Sequence, residues 1–425
     1  MKKILLLFIC AVSFLFADAT ITISKTSKKM PVVQIQDSTD SSFTDSSIKN
    51  KFFSILLADL KVTTYFETIE THTQVAFDHP YKSDHINNPE ADLILRYQLS
   101  YESDSSGPII ATVKIINPKK NSLIGSKGYK IAIKSRYPLL AHSITMDLAD
   151  SIGAGNIDWM DKYIIFARYV SPKESEIVLA DYSLTFQQVL VRGGLNIFPK
   201  WADKNQDSFF YTSYNLAKPT VYRVNLTTGV REKIIDSSGM AIVSDVSSDG
   251  NKILVTMAPD DQSDVYMYNL LTKELINVTK YGGVDTSGSF VDDESGIVFV
   301  SERLGYPNIF YKKIKGSSVE QMVHHGRNNA AASAHKNYIV YTSRDKSSEF
   351  GPQTFNLFLI STKTDYIRQL TATGKNLFPR FSDDGESIVF IKEFEKESGL
   401  GIIRLGANKS FHFPLNKGKI QSIDW

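Results

Sequence analysis

Cysteine is all but missing from this chain, with one residue, Cys10, in 425. It sits in an apolar run, residues 4–16, that follows Lys2 and Lys3 and leads to the small residues Ala17 and Ala19. That order reads as an export signal cleaved after Ala17 or after Ala19. The run continues past Cys10 through Val12, Phe14, Leu15 and Phe16, which argues against a lipid-modified cysteine. A mature chain without cysteine has no disulfide, no thiolate metal site and no cysteine nucleophile. Long hydrophobic runs are also lacking. The signal is too short to cross a bilayer core of about 30 Å, and no later stretch approaches the roughly 18 apolar residues of a spanning helix. An excess of one charge is missing too. The formal net charge of +2 falls to about zero once the two signal lysines are removed, and no long basic run remains. Nucleic acid is therefore not expected as a partner.

The usual marks of an enzyme are absent as well. No G-x-S-x-G elbow, P-loop or G-x-G-x-x-G following a strand occurs. None of the eight histidines forms an H-x-x-x-H pair, and the adjacent His324 and His325 would point to opposite faces of a strand. Asp260–Asp261 and Asp292–Asp293–Glu294 read as solvated turns. No metal and no cofactor are expected.

What the chain does have is a repeat. Six segments share one grammar, anchored at Trp159, Trp201, Val246, Phe290, Ser333 and Phe381, about 44 residues apart. Polar turns such as SSDG (247–250) and SDDG (382–385) suit tight hairpins. Alternating β-branched and aromatic runs follow them, for example IVFVS (297–301). Further runs such as TVYRVNL (220–226) and REKIID (231–236) complete four short strands per unit. Four strands repeated six times predict an all-β six-bladed β-propeller over residues 153–425. The last residues, IQSIDW (420–425), restate the motif NIDW (156–159) and are expected to supply or cover an inner strand of the first blade, closing the ring.

The region before the repeat differs in texture. Ile48, Phe52, Ile55, Leu56 and Leu60 fall at helical spacing within residues 48–61. Strands are expected at 30–36, 65–69, 92–101, 109–117 and 128–135, and a second helix at 139–152 behind Pro138. Residues 31–152 thus read as a small N-terminal α/β domain, preceded by the signal (1–19) and a flexible segment (20–30). In that segment Ile21 and Ile23 alternate with Thr20, Thr22 and Ser24, a pattern able to pair with an exposed sheet edge.

A signal, a small α/β domain and a six-unit propeller with SDDG-type turns, in that order, resemble the TolB family of the periplasmic Tol–Pal system of Gram-negative bacteria. The resemblance spans the whole chain. It rests on PVVQIQ leading into FFSILLADL, on ADLILRYQLSY, on the junction IGAGNIDWMDKYIIFARYV (152–170) and on SERLGYPNIFY (301–311). The family's usual turn is S-P-D-G, whereas Ser248 or Asp383 replaces the proline here, and the Trp159 and Ser333 units lack the turn glycine. The resemblance implies a protein-binding adaptor. It would hold the lipoprotein Pal on one propeller face and the inner-membrane protein TolA through the start of the mature chain, at Thr20, Ile21, Thr22 and Ile23. It further implies a periplasmic location and a part in outer-membrane integrity and cell division; the chain is expected to be a monomer.

Loops that run into inner strands ring the channel mouth, so their residues are the candidates for partner contact. They are Asn196, Phe198, Met240, Ala241, Asp285, Thr286, Asn328, Asn329, Asn376 and Phe378. Matching the repeat to the family places Thr286 and Met240 closest to its Pal-contacting loops. The competing expectation is a propeller enzyme, a lyase or hydrolase working in the channel. It requires convergent His, Asp or Glu side chains on inner strands, where the anchors are mostly apolar.

Overall fold

The computed structural model describes residues 29–425 apart from Ser83, His85, Asp292, residues 345–353, Asp365, Glu395 and Lys396. The signal and the TolA segment, Thr20 to Ile23 included, lie outside the described residues.

The N-terminal domain is a five-stranded sheet with two helices on one face. Its strands are β1 (Val32–Asp37), β2 (Glu67–Gln74), β3 (Leu93–Tyr101), β4 (Ile109–Asn117) and β5 (Ser122–Ile131), in the order β2-β1-β3-β4-β5. The strands β3, β4 and β5 form the expected antiparallel meander, but β1 runs parallel to both its neighbours, so the sheet is mixed. The strand expected at 128–135 starts earlier, at Ser122, and gives way to a single 3-10 turn at Lys134–Arg136.

Helix α1 (Ser46–Thr63) starts where the Asp45 side chain accepts from Ile48 N, and stops at Thr64, whose φ of 64° is left-handed. Helix α2 (Pro138–Ser151) opens on Pro138, where no backbone donor is needed. Their apolar stripes bury Phe52, Leu56, Leu60, Ile144 and Leu148 against Val33, Ile35 and Leu95 of the sheet. That core is not sealed at the domain's edge. It continues without a break into Trp159, Tyr182, Leu400, Leu415 and Ile420 of the propeller.

The rest of the chain is a ring of six four-stranded sheets, two of them joined by a single parallel bridge between Phe355 and Lys375. Their inner strands are Lys419–Asp424, Asn196–Trp201, Ala241–Val246, Asp285–Val291, Arg327–His335 and Lys375–Phe381, here blades 1 to 6. Each packs on the next and the last packs on the first, which closes the ring. The C-terminal strand pairs with Ile164–Ser171, so blade 1 is built from both ends of the propeller sequence. Trp159 is not on an inner strand. It sits in a 3-10 turn, Asp158–Asp161, with its ring 5.5 Å from that of Trp425, which directly follows the true inner strand of blade 1.

The S-x-D-G turns explain themselves chemically. In SSDG the Ser247 hydroxyl accepts from Lys252 N at 2.8 Å, Asp249 accepts from Asn251 N at 2.9 Å, and Gly250 takes φ of 70°. SDDG repeats this, with Ser387 N to Ser382 Oγ at 3.0 Å, Glu386 N to Asp384 Oδ1 at 2.9 Å, and φ of 77° at Gly385. The second position has no part in these bonds, which is why Ser248 and Asp383 can stand there in place of proline. Glu294, expected in a solvated turn, instead accepts from Ser248 N and Oγ at 2.6 Å and ties blade 4 to the turn of blade 3.

Candidate functional site

Every inner strand runs in the same sense, so the ring has two chemically different mouths. The inner strands begin at one, called here the open mouth. They end at the other, the turn mouth, where the S-x-D-G turns lie and the N-terminal domain sits.

The N-terminal domain is clamped onto the turn mouth by a buried ionic cluster. His142 of α2, 1% exposed, meets Asp59 of α1 at 2.9 Å on Nδ1 and Asp181 of blade 1 at 3.2 Å on Nε2. The hydroxyl of Tyr182 also donates to Asp59. Burial acts against a charge on His142, but the carboxylates of Asp59 and Asp181 outweigh it and raise the imidazole to about 10. Asp59 is itself pushed above the usual carboxylate range, by burial first of all. A second tie runs from Arg404 to the Tyr65 hydroxyl at 3.2 Å.

Inside the ring, charged residues at or one position before the inner-strand ends pair across blades. Lys200 Nζ lies 2.9 Å from Asp424 and 3.6 Å from Asp245, and Arg380 Nε lies 3.4 Å from Asp424. Asp424 also accepts from Trp201 N at 2.9 Å, and Asp245 from Phe290 N at 2.8 Å. These carboxylates are spent on backbone and cation partners, which makes them braces of the ring. The bulge in each inner strand frees further donors for the same use, as when Phe198 N reaches Ser422 Oγ at 3.0 Å.

The ten mouth residues singled out in the sequence do gather at the open mouth, but they divide into two sets. Asn196, Ala241, Asp285, Asn329 and Asn376 are at most 1% exposed. Candidates for partner contact by sequence, these five have their side chains turned inwards. Asn196 Nδ2 donates to Gly193 O at 2.8 Å, Asn376 Nδ2 to Phe355 O at 2.8 Å, and Asn329 Nδ2 to Asn308 Oδ1 at 3.0 Å. Each amide shapes a loop of the mouth itself. Asp285 is raised by burial and held by Arg303 at 3.1 Å, whose guanidinium lies 4.9 to 5.3 Å from the rings of Tyr281, Phe299 and Phe310.

The second set, Phe198, Met240, Thr286, Asn328 and Phe378, is only half-buried and reaches the surface. Phe198 and Phe378 hold φ of 53° and 50°, each just before a proline. Such left-handed backbone costs an ordinary residue about 1–2 kcal/mol and persists where the surroundings enforce it.

The sequence reading missed four exposed apolar residues on the same mouth. Val170, Leu216, Val284 and Leu304 are 56%, 55%, 39% and 45% exposed. Two of them carried a signal. Leu216 and Leu304 each stand in a polar loop, three residues before Pro219 and Pro307, at the same place in blades 2 and 4.

A family model described as the TolB beta propeller domain matches residues 160–425. The chain is 44% identical over 426 residues to the Tol-Pal system protein TolB of Wolinella succinogenes, with 100% of each covered. It is 38% identical over 426 residues to that of Helicobacter pylori (strain HPAG1), again with 100% of each covered. The crystal structure of TolB from Acinetobacter baumannii shares the fold, with a TM-score of 0.73 at 18% identity over 93% of this chain and 96% of that one. Among the described residues no helix is long and apolar enough to cross a membrane. By its full-length likeness to these relatives, the chain belongs to the TolB family, non-enzymatic proteins of the Tol–Pal system.

Proposed function

We propose that this protein is a periplasmic adaptor that docks the lipoprotein Pal on the open mouth and engages TolA through Thr20, Ile21, Thr22 and Ile23. Acting as a monomer, it would link the layers of the cell envelope and so support outer-membrane integrity and cell division. The observation that carries this reading is the open mouth itself. Apolar side chains at Val170, Leu216, Val284 and Leu304 stand exposed around the half-buried Met240, Thr286 and Phe198. They stand at the ends of strands in a closed ring, so a partner meets a surface that needs little ordering. Exposed apolar groups of this kind, rimmed by polar ones, mark protein docking surfaces.

The test is calorimetric titration of the mature chain with the soluble domain of Pal and, separately, with the C-terminal domain of TolA. Thr286→Lys is expected to weaken Pal binding at least tenfold, or about 1.4 kcal/mol. Removing residues 20–30 is expected to abolish TolA binding and leave Pal binding in place. Wild-type affinity for Pal in Thr286→Lys and Leu304→Asp alike would contradict the assignment of the mouth.

A further inference from the structure

Two loops of the open mouth follow one plan. They leave the strands Ser208–Ser213 of blade 2 and Gly296–Ser301 of blade 4, expose Leu216 and Leu304, and end at Pro219 and Pro307. They differ at the residue just before the leucine, which is Asn215 in blade 2 and Arg303 in blade 4. Asn215 is spent on its own loop. Its Oδ1 accepts from Leu195 N at 2.9 Å and its Nδ2 donates to Gly193 O at 2.9 Å. A neutral amide is therefore enough to hold such a loop against the start of an inner strand.

Arg303 does the same with only part of its donors. Its Nε donates to Ser301 Oγ at 2.8 Å, and its Nη2 to the Asp285 carboxylate at 3.1 Å. The two N–H groups on Nη1 meet no acceptor among the described residues, and that nitrogen is not enclosed. The guanidinium is nonetheless fixed in place. The rings of Tyr281, Phe299 and Phe310 lie 4.9 to 5.3 Å from it, and its side chain is 19% exposed. The backbone of Tyr281 is held in turn by Gln262, which donates to its carbonyl and, at 2.7 Å, to that of Gly283. Exposed apolar side chains stand next in sequence to both members of the pair, Val284 before Asp285 and Leu304 after Arg303.

We propose that Arg303 is the specificity-determining anchor of the open mouth, and that its Nη1 receives an Asp or Glu side chain of the docked protein. The inference rests on the reading that Pal docks there, and adds the chemistry that the partner must bring. The donors of a guanidinium make their strongest hydrogen bonds to carboxylates. Stacking and the Asp285 pair already hold the planar fork in one geometry, so little side-chain freedom is lost when an acceptor arrives. Arginine ringed by apolar contacts is also a recurrent centre of binding energy in protein interfaces.

The test is calorimetric titration of the mature chain with the soluble domain of Pal. Arg303→Asn installs the blade 2 residue, which can still hydrogen-bond within the loop, and is expected to weaken binding at least tenfold. Each surface Asp and Glu of Pal is then changed to Asn or Gln and titrated against the wild-type chain and Arg303→Asn. One of these carboxylates is expected to cost tenfold against wild type and almost nothing once Arg303 is gone. An arginine that only shaped the loop would show no such coupling. Wild-type affinity in Arg303→Asn, or a loss that couples to no carboxylate of Pal, overturns the proposal. Thr286→Lys separates the two readings. If it weakens Pal binding and Arg303→Asn does not, docking at the mouth stands and the anchor falls; if neither weakens it, the docking reading itself fails. Should Arg303→Asn lose its thermal transition, the scan of Pal against the wild-type chain decides, and the proposal falls if no carboxylate there costs tenfold.

Discussion

The two mouths of the ring are made from the same repeat, yet they are finished in opposite ways. At the turn mouth the chain reverses through S-x-D-G turns whose hydroxyls, carboxylates and glycines satisfy one another. The mouth is then covered by the N-terminal domain, with a shared hydrophobic core and the buried His142 cluster. At the open mouth the amides turn inwards and the apolar side chains turn outwards. One end is therefore an internal seat and the other a surface prepared for contact. A rigid closed ring is what allows the difference, since neither end has to hold the blades together by itself.

The comparison breaks first if the ring is opened. Removing residues 419–425 takes Ile420 and Ile423, each 2% exposed, out of blade 1 and leaves a sheet edge unpaired. A loss of at least about 5 kcal/mol is expected from burial alone. Both mouths should fail together, visible as a lost cooperative transition in circular dichroism. Next in size is Asp424→Ala, which takes the carboxylate from Arg380 and leaves Lys200 only Asp245, 3.6 Å away. Breaking such a buried pair typically costs about 3–5 kcal/mol, measurable as a fall in the urea midpoint.

The seat can be loosened without opening the ring. His142 binds its proton more tightly folded than unfolded, with a folded value of about 10 against an ordinary 6.5. Its contribution is therefore complete below pH 6.5 and is lost as pH rises towards 10. Asp59, raised by burial, works in the same direction from its lower range. Urea midpoints should thus decline between pH 6.5 and 10, and His142→Gln should flatten that decline. The smallest effect on stability, within about 0.5 kcal/mol, is expected for Leu304→Asp. That substitution should nonetheless sharpen the contrast by lowering Pal affinity at least tenfold, about 1.4 kcal/mol.

Much of this was legible beforehand, for reasons the contrast makes clear. The repeat shows through because each blade must reuse one alternation and one turn chemistry, and IQSIDW announces the closing strand because it copies an inner-strand motif. The same copying misplaced Trp159, since NIDW looks like a strand until the C-terminal strand has taken its place. The His142 cluster could not be seen. Its carboxylates lie 83 and 39 residues away in sequence, and a lone histidine on an amphipathic helix carries no mark of them. The inward asparagines were readable in part. Asn196 and Asn376 each donate to the carbonyl three residues earlier, in GGLN and TGKN, a local loop bond that burial then hides.

The most direct test of the division between the mouths is a hydrogen-exchange footprint of Pal on the intact chain. The account predicts protection at the loops around Leu216, Met240, Val284 to Thr286 and Leu304, with exchange unchanged at the turns 247–250 and 382–385. Protection concentrated on those turns, with the open-mouth loops unaffected, would contradict it.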